Sequence, residues 1–204
     1  MKRQCLCAIY GLLLIASLGA KPVKGEGVMI YSAHTDHLNW QVVNDGVMGG
    51  LSQSRWLSVP DQPTLFSGEI SLQNNGGFAS VRSSRIPKMG REVSGVRLRV
   101  RGDGRTYRFT LRTNRTGRGV NYQRAFPTAI GQLLEIDLRL DSFEARWRGR
   151  PVPTAPTLRA SDIRSVGFLL ADKKSGAFAL EVMEIRTMGA EETPKGNART
   201  MTSR

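Results

Sequence analysis

A chain of 204 residues is long enough for one sizeable hydrophobic core, and one domain is the expectation. Its 40% hydrophobic and 23% charged residues are those of an ordinary globular chain, not a disordered or fibrous one. The formal net charge of +13 is unusual and points to a cationic surface, with nucleic acid, anionic lipid or acidic polysaccharide as the partners such a surface attracts.

The first 25 residues read as a separate object. Lys2 and Arg3 precede an apolar run from Leu6 to Ala20. That run has the length of a signal-peptide core and falls short of the roughly 20 residues that span a bilayer. Residues 1–25 are therefore expected to direct export to a periplasmic or extracellular location, with an uncleaved membrane anchor as the alternative. Both cysteines, Cys5 and Cys7, lie inside this segment, so the mature chain would have neither disulfide nor thiol nucleophile. It would keep 26 basic against 17 acidic residues, still cationic.

Beyond residue 25 no apolar period of 3.6 is sustained. Short alternating or apolar runs recur instead, broken by Gly, Pro, Asn and Asp, which is the pattern of an all-β sandwich or barrel. Val28–Ser32 is the first expected strand. The stretch Trp40–Trp56 then carries an Asn44-Asp45-Gly46 turn, a Gly49-Gly50 pair and a Ser52-x-Ser54 run between two tryptophans. It reads as a shaped loop between strands, pinned by apolar side chains at both ends. Ser54–Val59, Leu65–Leu72 and Phe78–Ser83 are expected strands, with a second special loop at Asn74-Asn75-Gly76-Gly77.

In Gly95–Arg112, Val96, Leu98 and Val100 precede the turn Gly102-Asp103-Gly104, and Tyr107, Phe109 and Leu111 follow it. The spacing predicts a hairpin with these six residues on one face and Arg97, Arg99, Arg101, Arg108 and Arg112 on the other. Like charges across a strand pair repel, so that face needs water, acids or an anion. Glu135 and Asp137, alternating with Leu134, Ile136 and Leu138, are the acids expected beside it. Asn121–Phe126 and Phe143–Arg148 read as strands, and Ser161-Asp162 as the cap of a single helical turn. Val166–Leu170 reads as a buried central strand. Phe178–Arg186 changes its alternation at Met183, which predicts a bulge. The polar tail from residue 189 onward is expected to be disordered.

Catalytic machinery is not legible. His34 and His37 with Asp36 lack a complete ligand set, so no metal and no cofactor is expected. No Gly-x-Ser-x-Gly, P-loop or GxGxxG occurs. The chain reads as a non-enzymatic binding module, and its export signal argues against nucleic acid as the partner.

Three sets of residues, taken together, resemble the complex I intermediate-associated protein 30 family. They are Trp40-x-x-Val43-Asn44-Asp45-Gly46-Val47-Met48-Gly49-Gly50-x-Ser52-x-Ser54, then Asn74-Asn75-Gly76-Gly77-Phe78-Ala79-Ser80-Val81-Arg82, and Gly167-Phe168-Leu169-Leu170-Ala171-Asp172-Lys173. Leu98–Arg105 and Tyr122-Gln123 add to the match, which covers roughly Tyr31 to Arg186. The resemblance implies a galactose-binding-like jelly-roll β-sandwich over residues 26–188. It also implies an assembly factor or chaperone for complex I that binds unfolded or partly assembled protein, with membrane-associated subunits as partners. The alternative is an exported carbohydrate-binding module. The candidate binding residues are Trp40, Asn44, Asp45, Trp56, Asn74, Asn75, Arg82, Asp172 and Lys173. Their Asn and Asp side chains suit sugar hydroxyls, and a tryptophan face suits a sugar ring.

Overall fold

The computed structural model describes residues 27–34, 37–117, 119–189 and 199–200. The expected signal segment lies outside them, as does most of the expected tail. The strands in chain order are β1 (Met29–Ser32), β2 (Trp40–Asn44), β3 (Gln53–Leu57), β4 (Thr64–Ile70), β5 (Ala79–Ser83), β6 (Val93–Arg101) and β7 (Thr106–Thr113). They continue with β8 (Asn121–Pro127), β9 (Leu133–Arg139), β10 (Glu144–Trp147), β11 (Arg150–Pro151), β12 (Ile163–Leu170), β13 (Gly176–Gly189) and β14 (Arg199–Thr200). Single 3-10 turns sit at Asp45–Met48, Gln73–Asn75, Leu140–Ser142 and Ala160–Asp162. The last falls where a helical turn was expected, but Ser161 does not cap it: the N-cap is Arg159, with no side-chain bond.

Two seven-stranded sheets face each other. One runs β14-β9-β6-β13-β4-β3 with β1 added to β13; the other runs β11-β10-β8-β7-β12-β5-β2. All the strand pairs are antiparallel. Alternation decides what lies between them. Phe66, Val96, Leu98, Val100, Leu180 and Val182 come from the first sheet, and Val81, Tyr107, Phe109, Leu111, Phe168 and Leu170 from the second; all are almost wholly buried. The fold is a jelly-roll β-sandwich. Strand β13 is its longest element and changes partner along its length: Gly176–Val182 pairs with β4, and Glu184–Arg186 with β1. The register shifts between Val182 and Glu184, so the bulge falls at Met183 as the alternation predicts.

The expected Gly95–Arg112 hairpin does not form. Its two arms, β6 and β7, belong to different sheets. Six apolar residues sharing a hairpin face and six meeting from two opposed inner faces produce the same alternation, and only the turn separates the two cases. Here the Asp103 carboxylate accepts from the Arg105 amide at 3.0 Å, the Tyr107 hydroxyl at 3.0 Å and the Ala179 amide at 2.8 Å. Those bonds carry the chain from one sheet to the other. The five arginines are split accordingly. Those of β6 meet acids: Arg97–Asp137 at 2.7 Å, Arg99–Glu184 at 3.6 Å and Arg101–Glu181 at 2.7 Å. Arg108 and Arg112 lie on the outer face of the other sheet.

Candidate functional site

Strand registers bring the special loops to one end of the sandwich. Ala79 of β5 pairs with both Asn44 of β2 and Leu170 of β12, while Ile70 of β4 pairs with Gly176 of β13. The segments after Asn44, Ile70 and Leu170 therefore emerge side by side.

Asp45 is the centre of this end. It is fully buried. Its carboxylate accepts from the Ser52 amide at 2.9 Å, the Ser52 hydroxyl at 2.5 Å, the Gly77 amide at 2.6 Å and the Phe78 amide at 3.2 Å. Burial pushes its pKa up, but the bonds from Ser52, Gly77 and Phe78 outweigh burial and hold it below the usual carboxylate range. A Cβ on Gly50 would lie 2.4 Å from Asp45 Cγ, and one on Gly76 would lie 2.7 Å from Asp45 Oδ2. The glycines that punctuate both motifs thus make room for this carboxylate. Ser52 adds a second clasp, accepting at its hydroxyl from the Ser71 amide at 3.0 Å. Asn74 Nδ2 donates to the Gly49 carbonyl at 3.1 Å.

The other candidate residues divide. Asn44 Oδ1 accepts from the Ser54 hydroxyl at 2.6 Å. Asn74 and Asn75 hold consecutive left-handed backbones at φ 54 and 57, which asparagine tolerates better than most residues. Asp172 receives a fork from Arg105, 3.0 Å at Nε and 2.7 Å at Nη2. Burial raises the Asp172 pKa, and the Arg105 hydrogen bond and charge bring it below the usual range. Arg105 also donates to the carbonyls of Lys174, Gly176 and Ala177, so it closes the β12–β13 turn. Lys173 is exposed at the tip of that turn with φ 61.

Trp40 and Trp56 sit on the two edge strands that close one side of the sandwich. Their rings stack with centroids 4.3 Å apart. Tyr31 meets Trp40 edge-on at 5.4 Å, and Phe168 lies 6.2 Å from Trp56. Trp56 Nε1 is buried, so its N–H is not offered to solvent. The pair packs on the core, a contribution of about 1 kcal/mol beyond its buried area.

Arg82 lies apart from this end, on the outer face of the second sheet. Its Nε and Nη2 both donate to Gln41 Oε1, at 3.1 and 2.5 Å. Cross-strand register aligns Gln41, Arg82, Gly167, Thr110, Gln123 and Glu144, one from each of six adjacent strands. A Cβ on Gly167 would lie 2.3 Å from the Val81 carbonyl oxygen, so only glycine fits at this position of the row.

Two features escape sequence reasoning. Val47, Met48, Leu51 and Leu72 are 74%, 53%, 52% and 47% exposed on the loops that Asp45 fastens together. Large apolar side chains left outside on loops held in this way are suited to making contacts. Val47 and Met48 stand within the first motif, Leu51 at one of its variable positions and Leu72 outside it; the exposure of all four was not legible. A cleft of about 1260 Å³ also opens beside β10 and β11, with Tyr122, Phe143, Pro151 and Pro156 on its walls. It is assembled from segments far apart in the chain. Among the described residues no three His, Cys, Asp or Glu side chains gather to hold a metal.

Solved structures of similar architecture include carbohydrate-binding modules. The family 11 module of a cellulosomal cellulase of Clostridium thermocellum superposes with a TM-score of 0.62 at 20% identity, covering 84% of this chain and 98% of that one. The module from that organism in complex with a β-1,3-1,4-mixed-linked tetrasaccharide superposes at 0.61 with 19% identity, covering 83% and 99%. At such identities the likeness is one of fold. The sequence itself is more specific: the model of the complex I intermediate-associated protein 30 family matches residues 29–182, and the chain belongs to that family.

Proposed function

We propose that this chain is a non-catalytic binding module that engages protein subunits during assembly of a membrane-associated complex, gripping them through Val47, Met48, Leu51 and Leu72. The family's description supports a role in complex assembly. One observation carries the reading: these side chains are exposed on loops that a fully buried carboxylate locks in place. A preorganised apolar surface loses little entropy when it meets the exposed apolar segments of an incomplete subunit. Asn74, Asn75 and Lys173 form the polar rim of the same end. Residues 1–25 are read as an export signal, so the partner lies on the outer side of the membrane.

A photo-crosslinking residue at Met48, expressed in the native host, is expected to couple to a subunit of a membrane complex. With the crosslinking residue moved to Leu51, the otherwise wild-type chain is expected to couple likewise, and the double variant Val47→Asp/Met48→Asp to lose that crosslink while melting at the wild-type temperature. Equal crosslinking by the double variant would overturn the proposal.

A second reading is an exported carbohydrate-binding module. It is favoured by the polar row from Gln41 to Glu144, spaced about 4.8 Å per strand, which suits successive hydroxyl groups along a glycan. A glycan array on which neither the wild type nor an Arg82→Ala control retains any sugar would remove it.

A further inference from the structure

The two outer faces of the sandwich treat their arginines differently. On the first sheet Arg97, Arg99, Arg101 and Arg186 each lie within 4 Å of a carboxylate. On the second, Arg112 and Arg85 have neither hydrogen bond nor ion pair among the described residues, and Arg82 is held by a neutral amide. A concavity of about 490 Å³ gathers Arg82, Arg85, Arg112 and Arg164 with Ser84 and Ser165, and no carboxylate is among its lining residues. We propose that this concavity is a binding site for a tetrahedral oxyanion, the sulfate or phosphate ester group of a larger ligand.

Its geometry is partly prepared. Arg164 Nη1 donates to the carbonyls of Ser161 and Ile163, both at 2.8 Å, which fixes the guanidinium without neutralising it. Arg82 is steadied by Gln41 in the same way, leaving Nη1 to point elsewhere. The Ser84 hydroxyl accepts from the Asn39 amide at 3.2 Å and keeps its own proton to donate. Asp162 is engaged by Arg115 at 3.6 Å.

Charge argues for the class of ligand. Burial, with Arg82 beside it, pushes the Arg112 guanidinium below its ordinary pKa, although an arginine stays charged. Like charges gathered without counter-ions oppose the folded state, and an anion removes that opposition. One guanidinium fork satisfies both oxygens of a carboxylate. Four guanidinium groups and two hydroxyls exceed that need and match a group with three or more terminal oxygens.

The site stands independently of both readings above, because a small inorganic ion tests it without any protein or glycan partner. Sodium sulfate and sodium phosphate would be titrated into the folded chain against sodium chloride at matched ionic strength, following the backbone amides of Ser84 and Ser165 by NMR. Saturable shifts confined to this face are expected with sulfate or phosphate and not with chloride. Arg112→Gln and, separately, the exposed Arg85→Gln are each expected to weaken binding by about tenfold, the size of one charge-assisted contact. Tighter binding of dextran sulfate than of neutral dextran would identify a sulfated glycan as the source. Tighter binding of glucose 6-phosphate than of glucose would identify a phosphate ester. Equal shifts in chloride, or unchanged affinity in both variants, would overturn the site.

Discussion

The Asp45 carboxylate lies 2.6 Å from the amide nitrogen of Gly77, thirty-two residues along the chain. This bond ties the loop after β2 to the loop after β4, and it is one of four that the carboxylate accepts. Replacing Asp45 by Ala leaves the buried amide of Ser52 and the half-buried amide of Gly77 without acceptors. The expected cost is about 3 kcal/mol, read by urea denaturation.

The same carboxylate makes stability depend on pH. Its folded pKa lies below the unfolded value of about 3.9. The stabilisation is therefore complete above that unfolded value and is lost as pH falls through the folded pKa. Below about pH 4 the wild type is expected to lose more stability than Asp45→Asn, which has no charge to titrate. Parallel acid losses in both proteins, measured by thermal melts from pH 6 to pH 2.5, would contradict this assignment.

Two glycines of the same loop should respond unequally. A Cβ on Gly50 would fall 2.4 Å from Asp45 Cγ, whereas one on Gly46 meets nothing within 4 Å. Gly50→Ala is expected to destabilise by about 2 kcal/mol or more, because Asp45 is pinned and cannot retreat. Gly46→Ala is expected to stay within about 0.5 kcal/mol of wild type. Comparing the two midpoints separates a packing requirement from a general taste of the motif for glycine.

Arg105 fastens the Asp172 turn through a fork that lysine cannot reproduce. The two side chains are only 11% and 10% exposed. Arg105→Lys is expected to cost about 2 kcal/mol, and Arg105→Met about 3, since the latter strands a nearly buried carboxylate. In Arg105→Met the Asp172 pKa should rise, which NMR titration of its carboxyl carbon would detect.

The exposed apolar residues should behave as surface, not core. Val47→Ser and Met48→Ser are expected to leave the denaturation midpoint within about 0.5 kcal/mol of wild type. Phe168→Ala, wholly buried where the two sheets meet, is expected to cost about 4 kcal/mol. A large loss from Val47→Ser would mean that the tip is structural.

By itself, the sequence determined most of the strands and their inward faces, because a period of two marks the buried side of each strand wherever one side is wet; it missed β2, since Trp40–Asn44 read as part of a loop, and it carried the strand of β4 on to Leu72, which lies exposed beyond its end. It also marked the bulge at Met183, where that period slips, and the two glycine-rich loops, where backbone had to turn or approach closely. The order of residues in those loops carried the family. Sheet membership was not legible: β6 and β7 alternate alike whether they pair or face each other, and one of the Asp103 bonds at the crossover reaches Ala179, 76 residues away. Nor was the fate of the loop residues legible. Asp45 reads as a turn former or a sugar ligand from its neighbours, and only the approach of Gly77 and Phe78 makes it a buried clasp. The gathering of Arg82, Arg112 and Arg164 likewise follows from strand register across β5, β12 and β7, with Arg85 just past the end of β5. Alternation fixes the face on which a side chain lies; which strands lie beside it, and so which charges it meets, is decided by how the two sheets assemble.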